Sequence, residues 1–491
     1  LNDTDAPQNP SDSGSPRRER RAARSRRKKG GAIAAGVLVL ALGAYAAVDA
    51  YDLVPGLPGV LTTEPQVEVQ TVPTPQARAQ QVPAPASAVD DSAPVPTQIP
   101  KEIDTVLKES KIKGFGLEVR DGLSDDVLYA KNETKPRTPA SVTKVLTAAA
   151  SLSAIGGETR LETTTDFDAD TNTLTLTGGG DVLLSAGVSD PGSVNGHGGL
   201  RTLAEDTAAA LKDENITEVA LDLDTSRYVG EDFDSGWERV DIAKGVITSI
   251  QPIMVDTAYI GSKQAEWRGR SEHPAEDAFT IFERELKKTG ITVTEAAAEP
   301  ESEDSKELAR VESATISEIV EYALVHSDNV VAEMLGNEVA IAQGKEGSLD
   351  NGPDAVLEAL GESVDLGRTH LVDTSGLSYD NRIAPHDLTT VLQASVVADD
   401  SLAGLISYFP VGGLTGTLHD RFGDEKNASG VVHAKTGTLS TVTSLAGGVL
   451  DAEGRYLVFS IQIDDVDKDK ILEARKTADD IVTALANCGC R

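Results

Sequence analysis

Thr138-Pro-Ala-Ser-Val-Thr-Lys-Val-Leu-Thr-Ala-Ala-Ala150 is the stretch on which the reading of this chain turns. Its alanine-rich run has high helix propensity and begins just after a proline, so Ser141 falls at or near a helix N-terminus. Ser141 and Lys144 are three residues apart, which puts hydroxyl and amine on neighbouring turns of one helix face. That is the arrangement of a nucleophile beside its base. The free N–H groups and the positive dipole end of a helix start also favour a developing oxyanion. Serine caps helices for purely structural reasons too, so the pattern needs support from elsewhere in the chain.

Support comes from order. Ser327-Asp-Asn329 and then Lys435-Thr-Gly437 follow Ser141-Val-Thr-Lys144. Each pattern has a decoy in the same chain. Ser25-Arg-Arg-Lys28 lies in an arginine run that cannot pack, and Ser110-Lys-Ile-Lys113 lies in a charged stretch with no apolar run after it. Ser193-Val-Asn195 repeats the S-x-N spacing. Lys288-Thr-Gly290 closes a helical pattern that begins at Phe279, so its glycine reads as a helix stop. Taken singly, Ser327-Asp-Asn329 could cap a helix and Lys435-Thr-Gly437 could be a solvated strand edge.

The 491 residues allow two or three domains. Nine Arg or Lys stand between Arg17 and Lys29, and Gly30 to Val48 then runs without a charge. That run is long enough for a helix of roughly 28 Å, close to the thickness of a bilayer core. The expected layout is a basic cytoplasmic tail over 1–29, a transmembrane anchor over 30–48 and a Pro-rich linker over 49–100. A signal segment cut near Ala44-Tyr-Ala46 is the alternative, and either reading exports the remainder. Residues 1–50 carry a net charge of +4, which leaves −38 for the rest of a chain whose total is −34. Such an acidic body excludes nucleic acid as a partner. The only cysteines, Cys488 and Cys490, are terminal, so no disulfide frames the fold and a large apolar core must hold it.

Gly114-Phe-Gly-Leu-Glu-Val-Arg120 alternates as a strand, and so do Thr173–Thr177 and Val219–Leu223. The strand-rich middle reads as a domain inserted over 165–245, with the catalytic domain formed by 101–164 plus 246–487. Three strands near 431–436, 444–450 and 455–463 suit an antiparallel meander, with a last helix over 471–486 packed on it. The fold class is α+β and multi-domain.

With these motifs in this order, the chain resembles the penicillin-binding and serine β-lactamase superfamily. The surrounding residues are most similar to its class C low-molecular-mass carboxypeptidases, the peptidase family S13. Gly178-Gly-Gly-Asp181, Asp373-Thr-Ser-Gly-Leu-Ser378 with Asn381-Arg382, and Pro410-Val-Gly-Gly-Leu-Thr-Gly-Thr-Leu418 carry that likeness. The resemblance implies a transpeptidase-like catalytic domain, an antiparallel sheet flanked by helices, with a strand-rich insertion. It implies a D-Ala-D-Ala carboxypeptidase that trims peptidoglycan stem peptides and takes β-lactams as covalent inhibitors. By the same resemblance Ser141 attacks, Lys144 takes its proton and Ser327 relays a proton to the leaving amine. Asn329 holds the substrate amide, and Lys435, Thr436, Gly437 and Thr438 form the strand that receives the terminal carboxylate. No metal or cofactor is implied.

Rival readings remain open at this point. A β-lactamase of the class A kind needs a glutamate to activate the deacylating water. Glu333 lies only four residues beyond Asn329, too close in sequence to be on a separate loop. No G-x-S-x-G elbow supports a Ser-His-Asp hydrolase, and no H-x-x-x-H pair supports a metal hydrolase. Endopeptidase action on cross-links and a non-catalytic peptidoglycan-binding role complete the alternatives.

Overall fold

The computed structural model describes residues 97–488, apart from 111, 262–267, 296–304, 362–363, 399–400, 424 and 426. The expected basic tail and apolar segment lie outside the described residues, as do Cys490 and nearly all of the linker. Among the described residues no helix is long and apolar enough to cross a membrane.

Period-two alternation builds the first sheet. β1 (Phe115–Asp121) turns Leu117 and Val119 into one core, while Glu118 and Arg120 face the other way and meet His386. β2 (Val127–Lys131) pairs on one side of β1. A C-terminal meander completes the sheet from β8 (Val432–Leu439), β9 (Val442–Leu450) and β10 (Tyr456–Ile463), where three strands are expected. The order is β2-β1-β10-β9-β8, antiparallel throughout.

Helices cover both faces of that sheet. Helix α1 (Ile99–Ser110) places Ile99, Ile103 and Leu107 one turn apart on one stripe, the spacing of an amphipathic helix. They join Ala478, Ile481 and Leu485 of the C-terminal helix Ile471–Asn487 in the core over Leu117, Leu445 and Phe459. On the opposite face, helix α2 (Lys144–Ala154) is buried from Lys144 through Leu152 and shares a core with Ala446 and Val458. A helix enclosed all round needs the small residues that the Ala148–Ala150 run supplies.

A second sheet has the order β6-β5-β4-β3-β7. It consists of β3 (Arg160–Asp168), β4 (Thr173–Thr177), β5 (Glu218–Asp224), β6 (Thr292–Glu295) and β7 (Lys306–Thr315). β4, β5 and β6 are parallel, so long crossovers must join them. Helices α3 (Leu200–Asp213) and α4 (Pro274–Lys288) lie in those crossovers and pack Leu203, Leu211, Phe282 and Leu286 over Leu174 and Leu176. The sheet therefore draws on residues 160–315, a wider stretch than 165–245. The reason is topological, because β3 takes its outer partner, β7, from beyond the second crossover.

Candidate active site

Ala140–Thr143 forms one turn of 3-10 helix that runs straight into α2. Ala140 enters it at φ 51°, a strained left-handed conformation that turns the chain into the helix. Ser141 and Lys144 thus sit on consecutive turns. Lys144 Nζ donates to Ser141 Oγ at 3.1 Å, to Asn329 Oδ1 at 2.6 Å and to the Ser375 carbonyl at 2.7 Å. The side chain is 1% exposed. Burial lowers its pKa to about 8, against the opposing pull of the Glu333, Asp373 and Asp328 carboxylates.

Ser327-Asp-Asn329 joins helices α5 (Ile316–His326) and α6 (Asn329–Ala342), and its three residues divide the work. Asp328 does the capping: its Oδ1 accepts from the N–H groups of Val330 at 2.9 Å and Val331 at 3.2 Å. Its Oδ2 pairs with Arg270 at 2.9 Å. Burial opposes ionisation of Asp328, but the Arg270 guanidinium and the capped N–H groups hold its carboxyl below the usual range. With the cap supplied by Asp328, the neighbours are released toward the lysines. Ser327 sits at φ 54° and its Oγ accepts from Lys435 Nζ at 2.8 Å. Asn329 accepts from Lys144 and donates through Nδ2 to the Val246 carbonyl at 2.9 Å.

Lys435 is fully buried on β8 and also donates to the Thr436 carbonyl at 2.7 Å. Burial, and then the charge of Lys144, push its pKa well below the ordinary lysine value. On β8, Gly437 must lack a side chain. A Cβ there would lie 2.1 Å from Ser444 Oγ, 2.8 Å from the Pro139 carbonyl and 3.0 Å from the backbone nitrogen of Ser141. The missing side chain lets β8 run against the Ser141 turn. Thr436 Oγ1 bonds Thr417 at 2.9 Å, and Thr438 stands exposed at the rim. A cleft of ≈ 380 Å³ opens beside Ser327 and Asn329, walled by Tyr259, Tyr322 and His326. All eight residues named from the sequence gather at β8, the edge strand of the first sheet. The two serines pair with lysines and not with histidines.

Other contributors lie outside the eight residues named as the site. The Ser375 carbonyl belongs to the Asp373–Ser378 turn. Asp373 knots it by accepting from Gly376 N at 2.7 Å, Ser378 N at 2.6 Å, Asn381 Nδ2 at 2.7 Å and Trp237 Nε1 at 3.0 Å. Gly376, at φ 82°, has room for no Cβ, since one would lie 2.0 Å from the Ala140 carbonyl. Glu333 is not remote from the site. It lies buried on α6, one turn beyond Asn329, with both oxygens bonded to this turn.

A half-buried serine on a buried lysine, faced by a second Ser–Lys pair at the edge of an antiparallel sheet flanked by helices, defines a serine acyl-transfer enzyme of the penicillin-recognising fold. The model of the D-Ala-D-Ala carboxypeptidase 3 (S13) family matches residues 99–266 and 261–485. Carboxypeptidase DacB of Mycolicibacterium smegmatis is 31% identical over 487 residues, covering 96% of this chain and 99% of that protein. A carboxypeptidase of Mycobacterium tuberculosis is 30% identical over 427 residues, covering 85% of this chain and 90% of its own length. Among solved structures, penicillin binding protein 4 (dacB) from Haemophilus influenzae has a similar fold, with a TM-score of 0.64 at 20% identity. That match covers 78% of this chain and 98% of the other. The chain belongs to the S13 D-Ala-D-Ala carboxypeptidase family.

Proposed function

We propose that this serine carboxypeptidase cleaves the terminal D-Ala-D-Ala bond of peptidoglycan stem peptides through an acyl-enzyme on Ser141. The observation that carries the reading is Lys144 Nζ, 3.1 Å from Ser141 Oγ, with a pKa lowered to about 8 by burial. Neutral Lys144 takes the Ser141 proton as Oγ attacks the carbonyl carbon. The backbone N–H groups of Ser141 and Thr438 receive the developing oxyanion. Ser327 hands its proton to the departing D-alanine amine and regains the one that Lys144 took from Ser141; water then hydrolyses the ester, giving one proton to Lys144, which returns it to Ser141.

Lys435, Thr436 and Thr438 receive the substrate carboxylate. Two buried amines disfavour double protonation. A carboxylate arriving at Lys435 selects the state in which Lys435 holds the proton, and that charge leaves Lys144 neutral. Asn329 already spans Lys144 and the Val246 carbonyl, so its first role is to hold the base, and it exchanges one contact for the substrate amide. β-Lactams enter the same first step, and release is slow because Glu333 is 2% exposed and engaged at both oxygens.

The nineteen uncharged residues from Gly30 to Val48, with nine basic residues before them, support a single-pass anchor with the catalytic body outside the membrane. Cleavage near Ala44-Tyr-Ala46 would instead release it. The unit inserted into the catalytic domain is best taken as the strands from β3 to β7.

The test is to incubate the protein with penicillin across pH 6–10 and locate the adduct by mass spectrometry. The adduct is expected on Ser141 and absent from Ser141→Ala. Acylation should rise about tenfold per pH unit and level off above about 8 as Lys144 loses its proton. Muropeptides should lose one D-Ala; halving of dimers would mark an endopeptidase. An adduct on another residue, or a rate flat with pH, overturns the reading.

A further inference from the structure

The base of the proposed site is held from two sides by one helix. Asn329 and Glu333 are four residues apart on α6 and so share a face. Asn329 reaches Lys144 directly. Glu333 reaches it through the 373–378 turn. Its Oε2 accepts from Thr374 N at 3.2 Å and from Thr374 Oγ1 at 2.8 Å, and its Oε1 accepts from Ser375 N at 2.8 Å. The same turn offers the Ser375 carbonyl to Lys144 Nζ at 2.7 Å.

The seat for this turn is built into α6. Gly336, one turn on from Glu333, has no room for a side chain, because a Cβ would lie 2.6 Å from Thr374 Cγ2. Thr374 Oγ1 also reaches the Ala332 carbonyl at 3.0 Å, and Thr147 of α2 donates to the Thr374 carbonyl at 2.6 Å. The turn is therefore wedged between α6 and α2, the helix that carries Ser141 and Lys144. A carboxylate in an enclosed place must have its oxygens satisfied, and both oxygens of Glu333 are spent on this one turn. At 2% exposure, with both oxygens bonded to the turn, the carboxylate is held away from solvent and not presented to a deacylating water. It instead fixes the peptide whose carbonyl orients the lysine.

We propose that Glu333 is a positioning residue for the reaction: it clamps the Thr374–Ser375 peptide so that the Ser375 carbonyl aims Lys144 at Ser141. The inference rests on the acyl-enzyme reading above. The charged groups facing Lys144 are Asp328 at the cap of α6, Glu333 from α6, Asp373 from the turn and Lys435 from β8. Two consequences of removing Glu333 run in opposite directions. Loosening the turn misplaces Lys144 and lowers the acylation rate. Losing a nearby negative charge makes Lys144 easier to deprotonate, so the limb near pH 8 moves to lower pH. A purely structural defect would lower the rate and leave the limb in place.

The experiment measures penicillin acylation of the full chain against pH for the parent, Glu333→Gln and Thr374→Val, with thermal melts alongside. In Glu333→Gln the plateau should fall on the order of 10–100-fold, the scale set by a base misplaced by about an ångström. Its limb should move down by about one pH unit. Thr374→Val keeps the charge and removes one of the three donors, so it should lower the plateau several-fold, about a tenth of the parent rate at most severe, with the limb unmoved. A folded Glu333→Gln with the parent's profile, or with a lower plateau and an unmoved limb, overturns the proposal. If Glu333→Gln does not fold, Thr374→Val decides, and a parent-like rate in it overturns the proposal. A parent that is not acylated on Ser141 overturns the acyl-enzyme reading instead, so the two failures are told apart.

Discussion

The two sheets of this protein bury opposite things. Around the end of the first sheet, Lys144, Lys435, Glu333, Asp328, Asp373 and Arg270 are all nearly inaccessible to solvent. Beneath the second sheet the core is Phe167, Leu174, Leu176, Leu200, Phe282 and their neighbours, and most ion pairs lie outside on exposed side chains, with Glu285 of α4 the buried exception. Enclosing a charge costs stability unless it is paired and hydrogen-bonded, whereas enclosing apolar surface is the main source of it. One region is therefore organised for chemistry at some expense to stability, and the other is organised to stay folded. Substitutions should separate the two properties cleanly.

The largest effect is expected at Lys435. Lys435→Met keeps the length and volume of the side chain and removes the amine from its contacts with Ser327 and the Thr436 carbonyl. Penicillin acylation should fall on the order of 10³–10⁴-fold, the scale for losing both the partner of the proposed proton relay and the charge proposed to receive the carboxylate. The melting temperature should hold or rise, because a buried amine pushed well below its ordinary pKa is replaced by a thioether at home there. A marked loss of stability with little loss of rate would mean that Lys435 belongs to the scaffold, and the comparison would collapse.

Phe282→Ala should do the reverse. Phe282 is wholly buried on α4 against the second sheet, so the truncation leaves a cavity costing about 3–5 kcal/mol by urea unfolding. The acylation rate of the folded fraction at 25 °C should stay within about twofold, since no contact of Phe282 reaches the site. A rate that fell in step with stability would show the two regions to be mechanically one.

The same contrast explains what could be read in advance. Ser141 and Lys144 meet because they are three residues apart on a helix, a distance fixed by local geometry. The meander of β8, β9 and β10 was equally visible, since each strand pairs with the next in the chain. Long-range contacts were not visible. The Ser375 carbonyl lies 231 positions from the amine that it holds, and a backbone carbonyl has no residue signature. Glu333 was weighed only by its closeness to Asn329, yet four residues is one helical turn, and that places it on the face toward Lys144. The capping reading of Ser327-Asp-Asn329 was correct for Asp328 alone. The pairing of β7 with β3 escaped because it spans about 150 residues, beyond the reach of any local period.

The smallest effect should come from the most conspicuous ion pairs. On β7, Arg310 donates to Glu307 at 2.7 and 2.8 Å and to Glu162 of β3 at 2.5 Å, three bonds to two carboxylates across a strand pair. All three side chains are roughly 36–46% exposed, so water replaces each bond when it is lost. Arg310→Ala leaves two carboxylates in solvent, where they need no partner. It also removes a positive charge from a chain of net charge −34, a long-range penalty that falls off over about 8 Å at physiological salt. The melting temperature should therefore change by no more than about 2 °C at 0.15 M salt, and by somewhat more at low salt, with acylation of Ser141 unaltered. A drop as deep as that of Phe282→Ala, insensitive to salt, would show that the outer face of the second sheet carries stability through its charges. The division between the two regions would then have to be redrawn.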